Sequence, residues 1–183
     1  LHTAMAGPVK HQNILITGMG PIGLFAVTVC KALGAAKVVA TEVSPFRIDL
    51  ARQVGVDVVL NPSQVDVAKE LDVLVPGGFD GTLEMSGHPS SLGLAIEHTR
   101  PGGRLSLLGV YGQNTQSIDI NALIFKGIDL QGIVGRKLWQ TWDDMAALLA
   151  TGKLNLDPVI THQMHYTEFQ RAMELMKAGE AGK

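Results

Sequence analysis

Residues 18–23 have the spacing Gly-x-Gly-x-x-Gly. Such a string is weak evidence in isolation, because 21 glycines in 183 residues produce this spacing by chance. The context strengthens it, since a strand is predicted over residues 13–17 and a helix over residues 21–33. A turn from a strand into a helix presents backbone N–H groups and the positive helix end to an anion. The spacing therefore predicts a turn that binds a diphosphate.

Each residue type in this turn meets a separate physical demand. Gly18 permits the tight turn, Gly20 lets the backbone approach a diphosphate, and Gly23 lets the helix pack against the strand. Pro21 suits the first helical turn, because a backbone N–H at that position has no partner within the helix and its absence costs nothing. The alternative is a purely structural glycine turn, which needs no ligand.

Glu42 ends the second predicted strand, 24 residues after Gly18. A carboxylate there can accept hydrogen bonds from both hydroxyls of an adenosine ribose and repels a 2′-phosphate, which favours NAD over NADP. Arg47, five residues further on, is placed to pair with Glu42 or to lie over the adenine. For each of the two residues, the alternative is a solvated surface charge.

The elements that must position these residues follow from the hydrophobic pattern. Apolar runs rich in β-branched residues alternate with amphipathic segments every ~20 to 25 residues, which is typical of βαβ units. Six strands are predicted, near residues 13–18, 37–42, 57–60, 79–84, 103–109 and 128–134. The predicted fold is α/β, a doubly wound, parallel, six-stranded Rossmann sheet with helices on both faces.

Two segments are expected along the chain. Residues 1–157 form the NAD-binding domain, and residues 158–183 form an appendage of a strand and a helix. Thr167 and Gln170 have the spacing of a capping box at the start of that helix. Phe169, Met173 and Met176 then fall on one helical face, which predicts core packing.

Composition excludes several classes of function. A net charge of −2 and a pI near 6.3, without a basic run, argue against nucleic-acid partners. Residues 14–30 carry no charge, but three glycines and a proline make a membrane-spanning helix a poor interpretation. Cys30, the single cysteine, predicts a small core residue in a reducing compartment, and we expect a cytoplasmic protein.

A low charge content predicts an apolar contact surface. Charged residues make up 17% of the chain, against roughly 25% in typical soluble domains. Trp139 and Trp142 lie either in the core or in an exposed aromatic patch. We expect the second arrangement to contribute to a homo-oligomer.

Several segments resemble the cofactor domain of zinc-containing medium-chain dehydrogenases, and the resemblance covers essentially the whole chain. They are ILITGMGPIG, VVATEVSPFRIDLARQVG, FDGTLEMSGHP and PGGRLSLLGVYG. IFKGIDLQGIVGR and the stretch from WQTWDD to DPVITHQ are similar to the branch of the family that oxidises threonine. The resemblance implies that Ile22 lies over the pyrophosphate and that Glu42 and Arg47 hold the adenosine.

The resemblance also implies which residues line the nicotinamide end, through backbone groups: Leu108, Gly109, Val110, Ile133 and Val134. They lie at the carboxyl ends of predicted strands, where a doubly wound sheet binds ligands. The sequence differs from the family pattern in having Glu rather than Asp at position 42 and Val134 in place of an aromatic residue.

In this family a zinc ion polarises an alcohol, here threonine, and a hydride passes to NAD. The zinc ligands belong to a catalytic domain that precedes the region seen here, and the chain, which begins with Leu1, looks excised from a longer protein. We therefore predict no catalytic and no metal-binding residue in this chain, which should bind NAD without catalysis. His162 and His165 have the spacing of a metal clip but lack accompanying ligands. The alternatives are another alcohol or polyol dehydrogenase, a non-catalytic NAD-sensing module, and a methyltransferase.

Overall fold

The computed structural model describes residues 1–182, so Lys183 of the predicted appendage lies outside the described residues. Its six strands form one sheet: β1 (Asn13–Thr17), β2 (Lys37–Thr41), β3 (Val58–Leu60), β4 (Phe79–Glu84), β5 (Thr99–Leu107) and β6 (Asp129–Gly132). The order is β3-β2-β1-β4-β5-β6 with every neighbouring pair parallel. The chain therefore reverses its direction of winding between β1 and β4, and the predicted Rossmann sheet is confirmed.

Helices cover both faces of the sheet. The α-helices of residues 1–182 are α1 (Pro21–Ala32), α2 (Pro45–Gln53), α3 (Val67–Leu74), α4 (Pro89–His98), α5 (Ile120–Lys126), α6 (Gln140–Ala150) and α7 (Phe169–Ala178). No residue of α6 or α7 is buried. Successive side chains of a strand point to opposite faces. Ile14 and Ile16 accordingly pack with residues of α1 and α2, whereas Leu15 packs with residues of α3. Within the described residues, no helix is long and apolar enough to cross a membrane.

Local sequence explains where α2 begins, which matters because α2 carries Arg47. The Ser44 hydroxyl accepts a hydrogen bond from the Arg47 N–H at 3.4 Å, as expected for a helix N-cap. Pro45 occupies the first helical position. Arg47 is thereby held in the first turn of α2, directly after the strand that ends beside Glu42.

The predicted boundary of β5 is wrong. The strand begins at Thr99 rather than at residue 103 and continues through the Pro-Gly-Gly segment at 101–103. Thr99 pairs with Phe79, and the register then shifts before Gly81 pairs with Arg104. A bulge of this kind lets a strand include residues whose local preference is for a turn.

The carboxyl-terminal segment also differs from the prediction. From residue 158 to residue 182 it contains 3-10 turns and α7 rather than a strand and a helix. The capping box joins His165 and Glu168 instead of Thr167 and Gln170, because a 3-10 turn at Tyr166–Glu168 leads into the helix. The apolar stripe of Phe169, Met173 and Met176 is more than half exposed, so its predicted core packing is wrong for this chain.

Cys30 lies in the core, as predicted. Its side chain is fully buried in the cluster formed by α1 and one face of the sheet. Burial raises the pKa of the thiol to about 12, although the nearby Arg104 guanidinium acts in the opposite direction. The thiol therefore stays protonated near neutral pH and contributes as a small apolar group.

Candidate functional site

A cleft of about 420 Å³ opens at the carboxyl ends of β1, β2 and β4. This is where the winding of the sheet reverses, and it is the general ligand-binding position of doubly wound folds. Of the residues predicted from sequence, Gly18, Gly20, Glu42 and Arg47 line the cleft. The wall opposite α2 comes from the turn after β4 and from the first turn of α4, where His88 is the N-cap.

The glycine turn owes its shape to two close contacts. Gly18 has a φ of +87°, and a Cβ atom there would lie 2.9 Å from the Cα atom of Ser86. A Cβ atom at Gly23 would lie 2.0 Å from the carbonyl oxygen of Gly18. Only glycine fits at these two positions, so the turn after β1 packs directly against the turn after β4.

The middle of the turn is open. A Cβ atom at Gly20 would meet nothing within 4 Å. The first hydrogen bond of α1 runs from the Leu24 N–H to the Gly20 carbonyl, so the N–H groups of Ile22 and Gly23 precede it and have no intrahelical partner. Ile22 is 58% exposed at this edge. The arrangement offers an anion both space and unpaired donors.

Glu42 is nearly buried and already accepts three backbone hydrogen bonds. One carboxylate oxygen, Oε2, accepts from the Met19 N–H at 2.8 Å. The other, Oε1, accepts from the N–H groups of Val43 and Ser44 at 2.8 and 2.9 Å. A carboxylate accepts about four hydrogen bonds, so this geometry leaves capacity for about one more. The sequence-based expectation that both ribose hydroxyls bind Glu42 therefore requires some rearrangement of the turn.

Arg47 lines the cleft, and no carboxylate of residues 1–182 forms an ion pair with it. Its Nε atom is buried and has no hydrogen-bond partner within the described residues. Across residues 1–182, no ion pair joins Arg47 to Glu42, although both line the cleft. Of the two arrangements that the sequence left open for Arg47, pairing with Glu42 is therefore not the one observed. The guanidinium remains able to contact a ligand.

The residues predicted at the nicotinamide end lie outside the lining of this cleft, on its β5 and β6 side. The Ile133 N–H donates to the Leu107 carbonyl at 2.7 Å, which continues the strand pairing beyond β6. Val110 and Val134 are exposed, by 92% and 87% respectively. A Cβ atom at Gly87 would lie 2.4 Å from the Val110 carbonyl oxygen, so the segment after β5 contacts the turn after β4.

Sequence reasoning missed a second buried carboxylate, Glu84, and its partner Tyr111. Glu84 is the last residue of β4 and has no exposed surface. The Tyr111 hydroxyl donates to its Oε2 atom at 2.8 Å. The signal was present in the sequence, because Glu84 stands at the carboxyl end of an apolar strand just as Glu42 does.

Metal-ligating side chains do not converge in the part of the chain that the structure describes, where no three His, Cys, Asp or Glu residues form a candidate site. The two histidines with metal-clip spacing contact neighbouring hydroxyls instead. The Nδ1 atom of His162 lies 2.9 Å from Thr161 Oγ1, and that of His165 lies 2.9 Å from Thr167 Oγ1.

Comparison with known proteins agrees with this geometry. The L-threonine 3-dehydrogenase of Pyrococcus abyssi is 47% identical over 99% of this chain. An alcohol dehydrogenase from Thermus sp. ATN1 has a similar structure, with a TM-score of 0.89 and 29% identity over 98% of this chain. A zinc-binding dehydrogenase from Sinorhizobium meliloti 1021, bound to NADP, has a TM-score of 0.78 and 26% identity over 87% of this chain.

The chain spans about half the length of these proteins, namely 53%, 53% and 48% respectively. The sequence model of the family described as "Zinc-binding dehydrogenase" matches residues 21–151, which include the helices α1 to α6 and the strands β2 to β6. The match thus covers most of the sheet and most of the cleft residues. On this evidence, the chain belongs to the zinc-binding dehydrogenase family.

Proposed function

We propose that this chain is the NAD-binding domain of a zinc-dependent L-threonine 3-dehydrogenase, which oxidises L-threonine to 2-amino-3-ketobutyrate. One observation carries the proposal: open space and unpaired N–H groups over Gly20 lie beside the nearly buried carboxylate of Glu42. The substrate is proposed from the relatives named L-threonine 3-dehydrogenase.

In this proposal the diphosphate of NAD lies over Gly20 and accepts hydrogen bonds from the N–H groups of Ile22 and Gly23. A ribose hydroxyl donates to Glu42, while Arg47 contacts the adenosine. The nicotinamide extends toward residues 108–110 and 133–134, at the ends of β5 and β6. Bound NAD would supply a hydride acceptor, and the contribution of this chain is to bind and orient it.

NAD is the proposed cofactor rather than NADP because of the charge on Glu42. A 2′-phosphate on the adenosine ribose would approach this carboxylate, and two negative charges in a partly buried cleft repel each other. The NADP-bound structure from S. meliloti shows that a relative with this fold takes the other cofactor. The fold therefore does not decide between the two cofactors, and the proposal assigns that choice to Glu42.

Zinc would be held by residues outside this chain, because the described residues offer no convergent set of ligands. The chemistry at the alcohol consequently requires the remainder of the protein, and this chain provides the cofactor half of the active site. The buried free thiol of Cys30 suits a reducing compartment, and we propose the cytoplasm.

We also propose that a second copy of the chain covers the β6 side of the sheet. β6 is an edge strand, and such an edge presents unpaired backbone groups. Apolar side chains exposed around it include Phe125, Leu130, Leu138, Trp139 and Trp142. A patch of this kind marks an interaction surface more often than a free one.

Replacing Gly20 with Val tests the diphosphate site. The new side chain enters open space, so we expect an unchanged melting temperature. It would occupy the volume of the diphosphate, and NAD affinity measured by calorimetry should fall at least about a hundredfold, which is ~2.7 kcal/mol. Gly93→Val on α4 is the matched control, since it also faces open space. Wild-type chain that gives no heat with NAD would contradict the proposal.

Replacing Glu42 with Gln tests the cofactor preference. Loss of the negative charge should reduce the ratio of NAD affinity to NADP affinity about tenfold, or ~1.4 kcal/mol, because the repulsion of the 2′-phosphate is removed. Fluorescence titrations with NADH and NADPH measure both affinities. Glu70→Gln, an exposed site on α3, is the control. An unchanged ratio in the Glu42 variant would show that this carboxylate does not select the cofactor.

A turnover assay tests whether this chain binds the cofactor but needs the rest of the protein for the reaction. Mixing this chain with L-threonine, zinc and NAD should produce no NADH absorbance, because the metal ligands lie elsewhere. The full-length protein should produce NADH with threonine under the same conditions. Sustained NADH production by this chain alone would refute the proposal that the reaction needs residues outside it.

Sedimentation tests the proposed contact between copies. The chain should sediment as a dimer, and Leu138→Ser should weaken the dimer about tenfold, or ~1.4 kcal/mol, by exposing a polar group in the contact. Val73→Ser on α3 is the control, because Val73 is similarly exposed but lies on another helix. If the wild-type chain stays monomeric at high concentration, this surface alone does not hold two copies together, and the proposed contact is wrong for this chain.

A further inference from the structure

Glu84 occupies a central position in the sheet. It ends β4, which pairs with β1 on one side and with β5 on the other. The side chain is fully buried, and a buried carboxylate is costly unless hydrogen bonds satisfy it. Its partners therefore identify which parts of the fold depend on this charge.

One carboxylate oxygen holds the turn after β4. Oε1 accepts from the Ser86 N–H at 2.9 Å, the Gly87 N–H at 3.0 Å and the Ser86 hydroxyl at 2.5 Å. The Thr17 hydroxyl, at the end of β1, also donates to it at 3.3 Å. This oxygen fixes the two turns that meet at the crossover.

The other oxygen reaches the segment after β5. Oε2 accepts from the Tyr111 hydroxyl at 2.8 Å. The Glu84 carbonyl accepts from the N–H groups of Leu108 and Gly109 at 2.9 and 3.1 Å. A Cβ atom at Gly109 would lie 2.5 Å from Oε2, so the segment 108–111 lies directly against this residue.

Tyr111 remains a hydrogen-bond donor over a wide pH range. Burial, followed by the hydrogen bond to Glu84 and its charge, raises the pKa of the phenol well above its ordinary value. The contact therefore persists at any pH at which the protein is expected to work. The hydrogen bond connects the buried end of β4 to Tyr111. The residue before it in the chain, Val110, is almost fully exposed.

We infer that Glu84 is a positioning residue that, through Tyr111, sets the backbone of residues 108–110 for the nicotinamide half of the cofactor. This inference rests on the proposed function, in which residues 108–110 line that half of the site. Neither side chain lines the cleft assigned to the adenosine half. Glu84 also holds the turn after β4 through Oε1, whereas the Tyr111 hydroxyl contacts only Oε2. Loss of the Tyr111 hydroxyl should therefore affect the nicotinamide half of the cofactor and leave the other half alone.

Tyr111→Phe isolates the contact, because it removes one hydroxyl and keeps the ring. We expect NADH affinity to fall about tenfold, whereas affinity for ADP-ribose, which lacks the nicotinamide, should stay within about twofold. The fluorescence of bound NADH, which reports the surroundings of the reduced nicotinamide, should also move toward that of free NADH. Tyr166→Phe is the matched control, since Tyr166 is the other tyrosine of the chain and is 81% exposed.

The outcomes separate the inference from the proposed function. If wild-type chain binds neither NADH nor ADP-ribose, the proposed function fails and the inference fails with it. If wild-type chain binds both ligands, but Tyr111→Phe weakens both equally or neither, the inference alone is overturned. Glu84→Gln should weaken the binding of both ligands, because Oε1 also holds the turn after β4 that lines the cleft. The selective loss is therefore tested by Tyr111→Phe.

Discussion

The site depends on the close approach of two backbone turns, one after β1 and one after β4. Gly18 contacts Ser86, and Gly23 contacts the Gly18 carbonyl, at distances that leave no room for a Cβ atom. Because the turns touch, the first N–H groups of α1 open onto the same cleft as the start of α4. A side chain at Gly18 would separate the two turns, and a side chain at Gly23 would push away the Gly18 carbonyl and distort the glycine turn itself. Either change would disturb the surface on which a diphosphate could lie.

Two buried carboxylates hold the surroundings of these turns. Glu42 follows β2 and accepts from three backbone N–H groups, including that of Met19 in the glycine turn. Glu84 ends β4 and accepts from the next turn and from Tyr111. Hydrogen bonds to backbone N–H groups are among the strongest means of stabilising a buried anion. Each carboxylate thus supports the fold locally, and one of them also faces the cleft.

The sheet could be predicted from sequence because β1, β2 and β3 contain short continuous apolar runs that alternate with amphipathic segments. The turn could be predicted because Gly18 and Gly23 stand where a Cβ atom does not fit. Other features depend on contacts that are distant in sequence. The Pro-Gly-Gly segment at 101–103 locally favours a turn, yet pairing with β4 extends the strand through it. The helical period of α7 identifies an apolar face, but not whether this chain contains the surface that covers it. Likewise, the three backbone hydrogen bonds to the Glu42 carboxylate and the hydrogen bond from Tyr111 to Glu84 form only when the chain folds.

The central claim is that a dinucleotide lies over the open glycine turn, and amide NMR spectra recorded during an NAD titration test it most directly. The account predicts that the N–H resonances of Gly20, Ile22 and Gly23 shift most, while that of Gly152, after α6, stays in place. If NAD binds but leaves the turn resonances unmoved, the ligand lies elsewhere and the account is wrong.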